Sequence, residues 1–151
     1  MAKKQKNTLE QTRIVLRGIA FDSLLGMEVS KVHPDGITLR CQVRKRLLNK
    51  AGALHGGVAA SLADAAVGVA IHHRFGGTRP ISTVELKVNY FRPVLKGAVF
   101  ARARLLRIGS TLCVGRVDLT DDQRRAVGTA IVTYIFLDAR GGNSNGAGSD
   151  G

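Results

Sequence analysis

The amino-acid sequence predicts an α+β fold in which one long central helix is wrapped by an antiparallel sheet of five or six strands. Residues 57–73 form a run long enough for a helix and apolar on nearly every side, which indicates a covered helix. Around this run, shorter segments alternate between apolar and polar residues with the two-residue period of strands. The connections between them are short, which favours antiparallel pairing.

The first element is predicted to be a helix that begins after Thr8. Thr8, with Gln11 three residues later, fits a capping box, in which each side chain bonds to the backbone of the other residue. We expect residues 22–26 to turn the chain from this helix into the first strands. Four apolar residues are predicted to supply the packing face of the helix: Leu9, Ile14, Leu16 and Ile19.

The sheet is predicted from a hairpin and four later runs. Residues 37–44 alternate strictly, and the turn signal Pro34-Asp35-Gly36 precedes them. The later runs lie at about residues 83–90, 98–107, 111–119 and 126–137. A single copy of such a sheet would leave an edge and part of a face exposed, so we expect pairing with a second copy.

A chain of 151 residues suits one domain, which we place at residues 8–139 between a disordered basic leader, residues 1–7, and a disordered Gly/Ser/Asn tail, residues 140–151. Cys41 and Cys113 lie in apolar runs without metal-ligand spacing, so we expect buried thiols. No run approaches the ~20 apolar residues of a membrane span, and no secretory segment is recognisable. These features predict a cytoplasmic protein with no membrane partner.

The formal charge of +12 predicts attraction to an anionic partner. Nucleic acid is disfavoured because aromatic residues are sparse and no strand interleaves them with arginine. One basic cluster, formed by Arg44, Lys45, Arg46 and Lys50, lies just before the central helix. It is either a solvated surface or a contact for the phosphates of a small molecule, and the sequence leaves both open.

Asp64 is the only charged residue between Gly56 and Ile71. A carboxylate withdrawn from water needs a partner or a chemical task, so Asp64 is either a structural acid, bonded to the backbone or to Asn49, or the working group of an active site.

The tripeptide His55-Gly56-Gly57 stands where the central helix begins. Unpaired backbone N–H groups and the positive end of the helix dipole favour negative charge there, and glycine lets a ligand approach the main chain. This is the requirement for an oxyanion hole, although His55 could equally be a helix cap without a chemical role. The chain has no G-x-S-x-G elbow, which excludes the serine hydrolases that also use an H-G-G element.

The motif N-x-x-G-x-x-H-G-G at residues 49–57, followed by Asp64 and by TVELKVNYFRP at residues 83–93, resembles the hotdog-fold acyl-CoA thioesterases of the phenylacetic-acid-pathway (PaaI) type. The resemblance covers about residues 24–137. It implies a helix wrapped by an antiparallel sheet, two copies that join their sheets, and dimers that pair into tetramers. It also implies hydrolysis of acyl-CoA thioesters without a metal or other cofactor.

The same resemblance implies a role for each matching residue. Asp64 would be the nucleophile or the general base for water, acting across the dimer interface on a thioester held by the other subunit. The Gly56 N–H would bind the thioester carbonyl, with Gly57 beside it in the substrate-binding loop. His55 would orient that loop or polarise the carbonyl, Asn49 would hold the water or the carbonyl, and Thr83 would help to position water.

Two competing functions remain. A non-catalytic acyl-CoA sensor could keep the same fold, but it has no need of the isolated acid Asp64. A basic nucleic-acid-binding domain is the third hypothesis. The short length of the chain and the lack of a helix-turn-helix segment argue against it.

Overall fold

The computed structural model describes residues 6–140, and the chain folds there into three α-helices, two short 3₁₀ turns and one six-stranded sheet. The predicted leader and tail lie outside the described residues except at positions 6, 7 and 140. No helix in the described part of the chain is long and apolar enough to cross a membrane.

Two helices come first, α1 (Leu9–Gly18) and α2 (Ala20–Leu25). The predicted capping box is confirmed, since Thr8 and Gln11 bond to each other's backbone. The predicted packing face of α1 is mostly wrong: only Leu16 is buried, because α1 packs through the narrow stripe that Leu16 shares with Thr12. The predicted turn at residues 22–26 is also wrong, since these residues form α2 and its cap, Gly26, at φ 71°.

The central helix, α3 (Gly56–Phe75), begins one residue before the predicted start and ends two residues after the predicted end. Its N-cap is His55, and its C-cap is Gly76 in the left-handed region. Eleven of its twenty residues are buried, and the helix packs against the sheet and against α1 and α2. A helix that is apolar on all sides is stable in water only because its neighbours cover it.

The sheet consists of β1 (Met27–His33), β2 (Gly36–Gln42), β3 (Ile81–Tyr90), β4 (Ala98–Ile108), β5 (Leu112–Asp121) and β6 (Ala126–Phe136). Every pair is antiparallel, and the strand order is β1-β2-β4-β5-β6-β3. The predicted strands and the turn at Pro34-Asp35 are confirmed. Both predicted thiols, Cys41 and Cys113, are buried and unpaired.

Strand β3 occupies one edge of the sheet and pairs only with β6 among the described residues. Unlike the other strands, it has no buried residue on either face. Its exposed apolar side chains include Val84, Leu86 and Tyr90. An edge strand of ten residues with apolar side chains and unpaired backbone groups is a template for another chain.

Candidate active site

Asp64 lies on α3, two turns from its start, and is held by hydroxyl groups from two adjacent strands. Its Oδ1 atom accepts a hydrogen bond from Thr83 Oγ1 on β3 at 3.0 Å and from Tyr134 Oη on β6 at 2.9 Å. No hydrogen bond to Oδ2 is present within residues 6–140. One oxygen of the carboxyl group is therefore anchored, and the other is available to a ligand.

Tyr134 is the anchor that sequence reasoning missed. Its hydroxyl also lies 3.0 Å from the backbone carbonyl oxygen of Asp64, so its single proton is shared between two acceptors. Burial and the charge of Asp64 raise the pKa of Tyr134, which keeps the hydroxyl protonated as a donor. The only available signal was general: a buried tyrosine in an apolar strand needs a hydrogen-bond partner.

Glycine at position 68 makes room for this anchor. Gly68 lies one turn after Asp64 on α3, and a Cβ atom built on it would lie 2.8 Å from Tyr134 Oη. Real Cβ atoms essentially never make so short a contact, so any larger residue would push the tyrosine hydroxyl. The glycine therefore allows the ring of Tyr134 to reach Asp64.

At the start of α3, His55 acts as the helix cap. Its Nδ1 atom accepts a hydrogen bond from the Gly57 N–H at 2.9 Å. Since Nδ1 is the acceptor, the proton of the neutral ring is on Nε2, which remains a donor. Capping and a role toward substrate are thus compatible in one side chain. The Gly57 N–H is occupied by this bond.

Gly56 is the first residue of α3, so its N–H has no acceptor within the helix. Its carbonyl oxygen accepts a hydrogen bond from Tyr90 Oη at 2.7 Å. Upstream, Asn49 Oδ1 accepts from the Ala51 N–H at 2.9 Å and from the Ala53 N–H at 3.1 Å. In the single chain, the amide oxygen of Asn49 shapes the loop before the helix.

Two separate cavities contain these groups. One of about 230 Å³ is lined by Asp64 and Tyr134, and another of about 380 Å³ is lined by Asn49, Gly56 and Tyr90. Asp64 follows Gly56 by eight residues, which is about 12 Å along a helix axis. Within one chain, the structure therefore brings Asp64 and Thr83 together, and brings Asn49 and Gly56 together, but does not join the two groups.

The basic cluster lines neither cavity. All four of its residues are exposed, and two of them contact the end of α2. The Arg46 guanidinium donates to the Leu24 carbonyl oxygen at 3.0 Å, and the Arg44 guanidinium lies 3.2 Å from where a Cβ atom on Gly26 would be. The arginine that does line the Gly56 cavity is Arg92. Arg92 belongs to the motif at residues 83–93, but the sequence did not predict a role for it.

A second acid also escaped the sequence analysis. Asp22 on α2 is 6 % exposed and lines the same cavity as Asp64. Burial and the neighbouring charge of Asp64 raise the pKa of Asp22. No group of three or more His, Cys, Asp or Glu side chains in the described part of the chain is arranged to hold a metal ion.

Comparison with known proteins places these features in a family. The family model described as Thioesterase superfamily matches residues 51–127. Mouse acyl-coenzyme A thioesterase 13 is 28% identical over 123 residues, which cover 80% of this chain and 87% of the mouse protein.

Two solved structures are similar over most of the chain. Thioesterase HI1161 from Haemophilus influenzae has a TM-score of 0.83 at 25% identity, covering 95% of this chain and all of the other. A mutant of the phenylacetic acid degradation protein PaaI from Thermus thermophilus has a TM-score of 0.70 at 28% identity, covering 78% of this chain and 98% of the other.

Proposed function

The chain belongs to the thioesterase superfamily and is a thioester hydrolase of the hotdog fold, and we propose that it hydrolyses acyl-CoA to a free carboxylic acid and CoA. One observation carries the assignment of the working group. Asp64 Oδ1 is fixed by Thr83 and Tyr134, while Oδ2 is left for a ligand at a cavity. A carboxylate with one anchored and one free oxygen is suited to act as a base or a nucleophile.

Two routes use this carboxylate. As a general base, Asp64 takes a proton from water, and the resulting hydroxide attacks the carbonyl carbon and displaces the CoA thiolate, which is then protonated. As a nucleophile, Asp64 attacks the carbonyl carbon itself and displaces the CoA thiolate, which is then protonated, and water hydrolyses the mixed anhydride that remains. In both routes the carbonyl oxygen gains negative charge, which the Gly56 N–H and the Nε2–H of His55 stabilise.

The proposed catalytic centre takes its residues from two chains. A carbonyl bound at Gly56 is too far along α3 for Asp64 of the same chain, because hydrogen-bond reach is only about 3 Å. A second copy that pairs along the exposed edge of β3 would supply the missing half. Apolar residues already lie on that edge, and Asp64 is bonded to Thr83 on the same strand. A dimer of such dimers remains the expected assembly.

For the CoA moiety, we propose contact at the cavity of about 380 Å³ beside Gly56, where Arg92 supplies a positive charge. Asn49 keeps the loop of this cavity in shape, and Gly57 lets the ligand approach. The basic cluster, which lies outside this cavity, is the alternative phosphate contact. Replacing Arg92 and replacing the basic cluster, each in a separate variant, distinguishes the two contacts. Loss of the residues that bind the phosphates should raise KM for CoA esters more than KM for esters of a short thiol.

The central experiment is a thiol-release assay with aromatic, short, medium and long acyl-CoAs. We expect Asp64→Asn to lose at least ~100-fold in turnover, the scale of a general base. Asp118→Asn is the matched control, since Asp118 lies on β5 and bonds to Arg104 and Arg116 away from the site. Equal turnover in wild type and Asp64→Asn contradicts the assignment. Binding of acyl-CoA without thiol release from any ester would favour a sensor.

A proline substitution tests whether the Gly56 N–H stabilises the negative charge on the carbonyl oxygen. Proline is accepted at the first position of a helix and has no N–H to donate, and the extended backbone of His55 suits a residue before proline. We expect Gly56→Pro to lower turnover by ~100- to 1000-fold. Gly56→Ala is the control, because it keeps the N–H and places a similar Cβ against Tyr90. Similar turnover in the two variants contradicts the role.

Mixing these variants tests whether the site spans two chains. In random dimers of Asp64→Asn and Gly56→Pro chains, half of the dimers contain both variants, and each of these has one intact site if the halves come from different chains. Activity should then recover to about a quarter of the wild-type value, as expected for a symmetric dimer. If both residues act within one chain, every site lacks one of them and mixing restores nothing.

A further inference from the structure

The cavity beside Asp64 contains a second carboxyl group that the proposed chemistry does not use. Besides Asp64 and Tyr134, its polar lining residues are Asp22 on α2, Ser61 and His72, and the other lining residues are apolar. At about 230 Å³, the cavity holds the volume of about seven or eight waters, which suits a short chain or a single ring.

The Asp22 carboxyl group has no hydrogen bond or ion pair among the described residues, although Asp22 is only 6 % exposed. In the same part of the chain, no fully enclosed side-chain oxygen lacks a partner. The oxygens of Asp22 therefore open on the cavity. A buried carboxyl group without a partner is costly, so this orientation suits a ligand that donates a hydrogen bond.

The charge around the cavity supports the same conclusion. Among residues 6–140, no lysine or arginine lines it, although the chain as a whole carries a formal charge of +12. Burial, together with the like charge of Asp64, raises the pKa of Asp22. Burial lowers the pKa of His72, so this ring is neutral and offers one donor and one acceptor. A donor bound beside Asp22 would relieve the repulsion.

We infer that Asp22 determines acyl specificity: the cavity accepts a short acyl group that bears a hydrogen-bond donor, a hydroxyl or an ammonium, and rejects one that bears a carboxylate. The inference rests on the proposed function, because hydrolysis at Asp64 is what places the acyl group in this cavity. An unsubstituted acyl group would enclose Asp22 without a partner, and sites built for a hydrogen bond discriminate strongly against ligands that lack it.

The test uses CoA esters of butanoate, 3-hydroxybutanoate, 3-aminobutanoate and succinate, and the same set built on benzoate. We expect wild type to favour the donor-bearing esters over the unsubstituted ester by about tenfold or more in kcat/KM, with the carboxylated ester poorest. Asp22→Leu, which removes charge and acceptor, should bring the hydroxyl ratio to one or below and should reduce the ratios of the charged esters, because Asp64 remains in the cavity. Asp22→Asn keeps an acceptor and removes the charge, so we expect the hydroxyl preference to survive in this variant and the ammonium preference to be lost.

Calorimetric binding of the same esters to Asp64→Asn, with and without Asp22→Leu, measures the ratios without turnover. No thiol release from any ester, with the binding preference intact, overturns the proposed hydrolysis but keeps Asp22 as the selecting residue. Equal ratios in wild type and Asp22→Leu, in both turnover and binding, overturn the assignment of Asp22. Asp118→Asn should leave every ratio unchanged, and the unfolding midpoint of each variant confirms that it is folded.

Discussion

Replacing Gly68 with alanine should impair catalysis by displacing Tyr134. The three atoms nearest to the added methyl group all belong to Tyr134. The new Cβ would lie 2.8 Å from Tyr134 Oη and 3.2 Å from Tyr134 Cζ, whereas ordinary contacts begin at 3.4 Å. The hydroxyl must therefore move by about 0.6 Å, and a bond to Asp64 Oδ1 that is now 2.9 Å long would stretch to the limit of hydrogen bonding.

The size of the effect follows from that bond. A hydrogen bond to a charged group contributes about 1.5–3 kcal/mol, so its loss from an anchored Asp64 corresponds to about 10- to 150-fold in turnover. Stability should change less than activity. Alanine in a helix interior is favoured over glycine by about 1 kcal/mol, while overpacking costs about 1–3 kcal/mol, so we expect a net loss between zero and about 2 kcal/mol.

The assay measures thiol release and urea unfolding for Gly68→Ala, Tyr134→Phe and the double variant. Tyr134→Phe removes the atom that clashes, so adding Gly68→Ala to it should cost little further turnover. Gly18→Ala is the matched control, because Gly18 ends α1 and a Cβ there meets no atom within 4 Å. Full turnover in Gly68→Ala, or turnover losses that simply add in the double variant, would refute the reasoning.

Three further outcomes concern stability. Gly115→Ala should lower the free energy of unfolding by about 1–3 kcal/mol, since its Cβ would lie 2.7 Å from both γ-carbons of Val67, and Val67→Ala should restore part of that loss; an unchanged urea midpoint would contradict this. Arg124→Gly should raise the free energy of unfolding by about 0.5–1 kcal/mol, because Arg124 adopts φ 60°, a conformation that glycine adopts without strain. A lower urea midpoint in this variant would count against this account. Asp22→Asn should raise Tm at neutral pH but not below its ordinary pKa near 3.8, because the folded chain holds this proton more tightly than the unfolded chain and so loses stability as pH rises through the raised pKa; a Tm difference independent of pH would exclude that origin.

Long periodic segments made most of the fold predictable. Helix α3 is apolar over most of its twenty residues, and strands β4 and β6, of eleven residues each, alternate between buried and less buried residues over much of their length. Helix α2 was missed because six residues are too few to display a period, and the exposed side of α1 was misjudged because apolar residues need not be covered in a single chain.

In the candidate site, too, the residues that belong to a local motif were predictable and those brought in by tertiary packing were not. Asp64 and Thr83 were predicted from a motif, and the structure joins them at 3.0 Å. Tyr134 is 70 residues from Asp64, and their contact depends on the register of β6 beside β3, for which the sequence has no local signal. Asp22 reaches the cavity only through the packing of a helix that was not expected.

The two buried cysteines, Cys41 and Cys113, affect how the thiol-release assay can be read. Burial raises the pKa of Cys113 to about 11 and also raises that of Cys41. Near neutral pH, these raised pKa values leave few of the two side chains as thiolates, the form that reacts with a disulfide reagent. Such a reagent therefore detects the CoA thiol against a silent background from the folded protein. A trace recorded without substrate therefore reports the cysteines that unfolding exposes, and the difference between it and the trace with substrate records the turnover of a variant.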